Sequence, residues 1–250
     1  MPAFDDKVVL VTGGASGIGF AACEALLASG AAVVVWDRLE ADVEEAIRRL
    51  DPSGERCSGF AVDVANAGQV EAAFSESLSA FGNLHGAFNN AGIGAPTVPM
   101  ADISETTFDD VLAVNLKGVW LCMKYELKHF RSRGGSIVNN ASVSGLVALA
   151  GQGAYTCAKH GVVGLTKTAA VEYAAAGVRV NAVCPGAIQT PILAHLEEAG
   201  IDVAALAGMS PAARVGAPIE VASAVLWLLS DEASFVTGAA LSVDGGWAAQ

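Results

Sequence analysis

At 250 residues, 53% hydrophobic and 16% charged, the chain is too apolar to stay disordered and must bury a large core. Fourteen basic against 26 acidic residues leave a formal net charge of −12, which repels phosphate backbones and anionic lipid and excludes nucleic acid and membrane surfaces as partners. Apolar runs such as Val8 to Val11 fall far short of the roughly 20 residues that span a bilayer.

The N-terminus carries Asp5 and Asp6 before its first apolar run and lacks a basic region and a cleavage site, so the expected location is cytoplasmic. Short β-branched runs then alternate with Ala-rich amphipathic stretches. The pattern predicts strands at Val8–Val11, Val33–Trp36, Gly59–Val62, Gly86–Asn89, Ser136–Asn139, Val178–Val183 and Ala240–Val243. Helices are expected between them, at Ile18–Ser29, Ala41–Leu50, Gln69–Phe81, Glu105–Phe130, Tyr155–Ala175 and Ile219–Leu229. Asn66 with Gln69 three residues later reads as a capping box for the third helix. Gln189 to Val215 breaks the rhythm with weak periodicity and two prolines, as a lid over a site would. These elements predict a Rossmann-type α/β fold: a doubly wound, seven-stranded, mostly parallel sheet with helices on both faces, in one domain. Functional residues then belong just after the strands.

The first strand ends in Thr12-Gly13-Gly14-Ala15-Ser16-Gly17-Ile18-Gly19 and opens directly into a helix. Glycines there let the backbone turn tightly and approach a pyrophosphate, which the helix N-terminus faces. Asp37 closes the second strand, 18 residues after Gly19, where a carboxylate binds a ribose diol. It predicts NAD(H) over NADP(H), although Arg38 beside it is a group that pairs with a 2′-phosphate. Tyr155 and Lys159 lie four apart on a predicted helix, about 6 Å along its axis. Bringing a phenol from a pKa of about 10 to near 7 takes about 4 kcal/mol, which a lysine and a cationic nicotinamide ring supply together. Tyr155 then serves as a general base. The five cysteines (Cys23, Cys57, Cys122, Cys157, Cys184) form neither a disulfide framework nor a metal pair and read as reduced thiols.

With Asp63-Val64 after the third strand, Asn89-Asn90-Ala91-Gly92 after the fourth, Asn115, Asn139-Asn140-Ala141-Ser142 after the fifth and Cys184-Pro185-Gly186 after the sixth, the whole chain resembles the short-chain dehydrogenase/reductase family. The resemblance implies a catalytic tetrad of Asn115, Ser142, Tyr155 and Lys159. In it Ser142 donates to the substrate oxygen, Tyr155 exchanges its proton, Lys159 holds the nicotinamide ribose, and the backbone carbonyl of Asn115 holds a relay water. It further implies cofactor contacts at Gly13, Ser16, Gly17, Ile18, Gly19, Asp63, Val64, Asn90, Ala91, Gly92, Pro185 and Gly186, with Ile188 and Thr190 on the carboxamide, and a homotetramer.

Ile93–Met100, Val143–Gly153 and Ala187–Met209 should line the substrate pocket, and none of these spans contains a lysine or arginine. A neutral secondary alcohol or its ketone is therefore expected, contacting Ser142, Ser144, Leu149, Tyr155, Ile188 and Leu193. Several segments resemble bacterial family members acting on cyclic alcohols and diols. The alternative within the family is a 3-oxoacyl-(acyl carrier protein) reductase using NADPH, whose acidic partner the net charge opposes. A nonenzymatic dinucleotide-sensing module has no need of Ser142, Tyr155 and Lys159 in register. No metal is predicted: the resemblance offers a divalent cation at an end like Ala249-Gln250, but a single carboxylate is too thin a ligand set.

Overall fold

The runs of β-branched residues become strands buried on both faces, which is why they read as continuous apolar stretches rather than alternations. The computed structural model describes residues 3–198, 200 and 202–250. Its strands are β1 Val8–Thr12, β2 Ala32–Asp37, β3 Cys57–Ala61, β4 Gly86–Asn89, β5 Gly135–Asn140, β6 Val178–Pro185 and β7 Ala240–Val243. Among the described residues they form one sheet in the order β3-β2-β1-β4-β5-β6-β7, and every pairing is parallel, as the predicted doubly wound sheet requires.

The helices are α1 Gly17–Ala28, α2 Glu40–Leu50, α3 Ala67–Phe81, α4 Glu105–Leu112, α5 Val119–Phe130, α6 Gly153–Tyr173, α7 Pro191–Glu198, α8 Val203–Gly208 and α9 Pro218–Leu229. Because side chains alternate along a strand, β1 and β2 send Val9, Val11, Val33 and Val35 to one face, where α1 and α9 pack. Val8, Leu10, Val34 and Trp36 go to the other, against α3, α5 and α6. Arg179 of β6 ties the layers together: its guanidinium donates to the carbonyls of Leu228, Leu229 and Ser230 at 2.6, 3.1 and 2.9 Å, satisfying the open C-terminal end of α9.

Two expectations need correction, and one segment gains detail. The helix predicted over Glu105–Phe130 is interrupted by a π-helical segment, Ala113–Gly118, between α4 and α5. The capping box of α3 is half formed: Asn66 Oδ1 accepts from the amides of Gly68 and Gln69, but Gln69 Oε1 accepts from the Asp63 amide at 2.8 Å instead of returning to Asn66. Finally, the weakly periodic span 189–215 holds two short helices, α7 and α8; Ala199 and Ile201 within it lie outside the described residues. Its two ends meet in a short parallel bridge, with the Gln189 amide donating to the Gly216 carbonyl and the Gly216 amide to the Ala187 carbonyl, both at 2.9 Å.

The carboxyl ends of β1, β4, β5 and β6 lie along one edge, and the order reverses between β1 and β4, the place where such sheets open a crevice. Among the described residues no helix is long and apolar enough to cross a membrane.

Candidate active site

The crevice begins where β1 turns into α1. Gly13 and Gly17 have φ of +62° and +53°, a region that side-chain-bearing residues rarely adopt. A Cβ on Gly19 would lie 2.0 Å from the Gly13 carbonyl oxygen, so the helix can start this close to the turn only with glycine there. Ser16 is the N-cap of α1 but its side chain makes no capping bond, and the first turn has no acidic residue. The leading amides of α1 are thus left to an anion, as a pyrophosphate cradle requires. Gly13, Ser16, Gly17 and Ile18 line the cleft, whereas Gly19 packs behind it.

Asp37 accepts from the Ala15 amide at 3.0 Å and from the Arg38 amide at 2.8 Å, fixing its carboxylate at the rim. The Arg38 side chain is exposed and, among the described residues, makes no ion pair with Asp37. Asp63 accepts from the Ala65 amide at 2.9 Å, and with Val64 it lines the same end of the cleft.

Asn90 clasps the floor. Its Nδ2 donates to the carbonyls of Thr12 and Gly13 at 3.1 and 3.0 Å, while Thr12 Oγ1 accepts from the Asn90 and Ala91 amides at 3.0 Å each. Asn140 Nδ2 donates in turn to Asn90 Oδ1 at 2.9 Å, joining the ends of β1, β4 and β5. Asn115, fully buried in the π-helical segment, exchanges two 2.8 Å bonds with the Ile93 backbone. Its side chain is thereby consumed, leaving its main-chain carbonyl for the relay that the resemblance implies. Gly92 sits against it, since a Cβ there would meet Asn115 Oδ1 at 2.9 Å.

Ser142 follows β5 and Tyr155 lies in the first turn of α6, with the Ser142 hydroxyl near enough to favour the Tyr155 phenolate. Ser142 Oγ also accepts from the Ser144 amide at 3.1 Å, which holds it toward the cleft. Lys159 is buried behind them at 3% exposure, its Nζ donating to the Asn140 carbonyl at 2.8 Å and standing 5.5 Å from the Tyr155 ring centre. Burial pushes its ammonium down to about 8. Burial also pushes the Tyr155 phenol above its ordinary value, with the Ser142 hydroxyl pulling the other way. The depression toward neutrality is expected from Lys159 together with a cationic nicotinamide ring; in the protein alone burial is the larger influence and raises the phenol. Asn115 and Lys159 stand behind the cleft wall, while Ser142 and Tyr155 form part of it.

The cleft measures about 670 Å³. Asp37, Arg38 and Asp63 are the charged residues among its described lining, and they close or follow β2 and β3, on the side of β1 away from β5 and β6. The other end is walled by Pro185, Gly186, Ile188, Thr190, Leu193, Ser144 and Leu149 from the predicted set. Thr97, Gln152, Leu206, Met209 and Trp247 join them, although only the spans holding the first four were singled out from sequence. His195 faces away, bonded to the Pro191 carbonyl at 2.6 Å. Beneath the floor, Asn89 Nδ2 donates to Glu126 Oε2 and to Asn139 Oδ1, both at 3.0 Å, and Asn139 Nδ2 to Thr166 Oγ1 at 2.9 Å. Burial pushes the Glu126 carboxyl up to about 8.

Residues 13–248 match the family pattern described as enoyl-(acyl carrier protein) reductase. The chain belongs to the short-chain dehydrogenase/reductase family. This short-chain dehydrogenase/reductase is 45% identical over 247 residues to 2,5-dichloro-2,5-cyclohexadiene-1,4-diol dehydrogenase of Sphingobium indicum, covering 97% of each chain. It is 42% identical to cyclohexanol dehydrogenase of an Acinetobacter species, covering 98% of this chain and 96% of that one. The crystal structure of levodione reductase superposes with a TM-score of 0.93 at 38% identity, over 98% and 99% of the two chains. The family uses a nicotinamide dinucleotide. Neighbours of this fold are described with either form: ElxO with NADP bound, at 33% identity and TM-score 0.90 over all of both chains, and a Brucella melitensis 3-ketoacyl-(acyl-carrier-protein) reductase with NADH, at 32% and 0.91 over 98% and 100%.

Proposed function

We propose that this oxidoreductase interconverts a neutral cyclic or hydrophobic secondary alcohol and its ketone, with NAD(H) as the preferred cofactor. The observation that carries the reading is the division of the cleft: charges confined to one end, and an apolar chamber at the other into which Ser142 and Tyr155 present hydroxyls. The relatives named for cyclic diols and cyclohexanol support the same substrate class.

The bound dinucleotide supplies the acceptor or donor of hydride. Ser142 donates a hydrogen bond to the substrate oxygen and holds it beside Tyr155. Tyr155 takes the hydroxyl proton in oxidation and returns it in reduction. Lys159, anchored on the Asn140 carbonyl, orients the ribose and places positive charge near the phenol. Asn115, Ser144 and the Asn90 clasp hold these groups in register, and residues 189–215 close over the chamber as a lid.

The test is the appearance of NADH absorbance with purified protein, NAD or NADP, and a panel of cyclic alcohols, linear alcohols and acyl thioesters. Turnover of neutral cyclic alcohols with NAD supports the reading; activity confined to acyl thioesters with NADPH replaces it with a 3-oxoacyl-thioester reductase. Asp37→Ser removes the carboxylate expected to bond the ribose diol at a half-exposed site, a charge-assisted bond worth about 1.5 kcal/mol, so the NAD-to-NADP ratio of kcat/KM falls about 10-fold. An unchanged ratio shows that Asp37 does not select the cofactor.

We also assign the protein to the cytoplasm as a homotetramer. A groove of about 600 Å³ lined by Leu112, Leu116, Trp120 and Leu165, with Trp120 45% exposed, is the apolar surface a second copy would cover. Sedimentation at decreasing concentration should give a species of four chains; a monomer throughout rejects the assembly.

A further inference from the structure

The C-terminal tail leaves β7 against the wall of the crevice. The Gly186 amide donates to the Val243 carbonyl at 3.1 Å, and a Cβ on Gly186 would lie 3.0 Å from Asp244 Cα. Asp244 then folds the tail back, accepting from the amides of Gly246 and Ala248 at 3.0 and 2.9 Å. From the very next residue after Asp244 the tail meets the end of the 189–215 segment. The Ala212 amide donates to the Gly245 carbonyl at 3.1 Å, and Gln250 Nε2 donates to the Met209 carbonyl at 2.7 Å. Between these two anchors stands Trp247, 7% exposed and lining the cleft beside Leu206 and Met209. Its indole N–H has no protein partner among the described residues.

We propose that Trp247 is the end wall of the substrate chamber and sets the largest ring system it admits, with Gln250 as the positioning residue that pins the tail to the lid segment. This rests on the proposed reading of the substrate as a neutral cyclic alcohol. A large, rigid indole held at both ends fixes a boundary that a flexible side chain would not. The ring belongs to the tail and not to the strand end and helix that carry the proton-transfer groups.

Trp247→Ala, Trp247→Phe and Gln250→Ala are compared with the unaltered enzyme on single-ring and fused-ring secondary alcohols. Trp247→Ala should raise KM for single-ring alcohols and move the ratio of kcat/KM toward fused rings by at least about 10-fold, the scale of a changed apolar pocket wall. Trp247→Phe should fall between, and Gln250→Ala should raise KM with kcat retained. NADH binding, followed by its fluorescence, should be unchanged in all three. Equal changes for both ring classes, or altered NADH binding, overturn the assignment. Calorimetric binding of the same alcohols to the cofactor-loaded proteins repeats the comparison without turnover. Size-dependent binding without turnover keeps the wall and rejects the reading of the reaction, whereas failure to bind either class rejects both.

Discussion

Tyr155→Phe is expected to lower kcat at least about 100-fold while the protein still folds and binds NADH, since general acid–base catalysis contributes about 10²–10⁴-fold. The substitution deletes one oxygen. The ring stays between Ser142 and Lys159, whose Nζ lies 5.5 Å from its centre and remains fixed by the Asn140 carbonyl. Packing and dinucleotide affinity therefore change little, and the loss falls on the proton that must leave or join the substrate oxygen. In the unaltered protein without cofactor, the phenol should ionise above its ordinary value, because burial is the larger influence on it. Ultraviolet titration of the enzyme minus that of Tyr155→Phe isolates this group. Retention of kcat in the variant would falsify the role given to Tyr155.

Glu126→Gln is expected to stabilise the protein at alkaline pH by on the order of 5 kcal/mol and to flatten its stability between pH 5 and 8. Glu126 is fully buried on α5 and its carboxyl is raised from 4.5 to about 8 by desolvation, although the Asn89 amide favours the charged form. The folded state therefore holds a proton that the unfolded state has already released across this interval. Stability is greatest below the unfolded pKa and falls as pH rises toward 8, after which it levels. Lys159 has the opposite slope: its ammonium, lowered from 10.5 to about 8, makes stability rise between those values. Glutamine keeps an acceptor for Asn89 Nδ2 and carries no charge, so only the first limb should vanish. Urea denaturation at a series of pH values measures both limbs, and parallel profiles for the variant and the parent would show that Glu126 is ionised in the fold.

The strands were legible because parallel strands covered on both faces announce themselves as runs, and Val8 to Val11 and Val33 to Trp36 fall within β1 and β2. The glycine turn, Asp37 and the Tyr155–Lys159 pair were legible for a local reason: their chemistry depends on spacing along one turn or one helix. Ser142 and Asn115 were not readable that way and came only with the family resemblance. The π-helical segment left no mark because six residues are too few to shift an apolar period. The Asn90–Thr12 clasp joins positions 78 residues apart, and Lys159 is held by a main-chain oxygen that every residue carries. The direction of the Tyr155 shift turned on burial, which spacing does not encode.

The bridge that joins Ala187–Gln189 to Gly216 makes the intervening stretch a loop closed at its base, independently of what the loop contains. Closure entropy grows only slowly with length, so a different sequence, or a longer one, fits on the same stem at little thermodynamic penalty. On the proposed reading the chain is in this sense two inheritable parts: a rigid chassis that fixes how hydrogen is exchanged, and an interchangeable hood that decides which molecules are offered to it. Diversification of such an enzyme would run through the hood, leaving the chassis untouched.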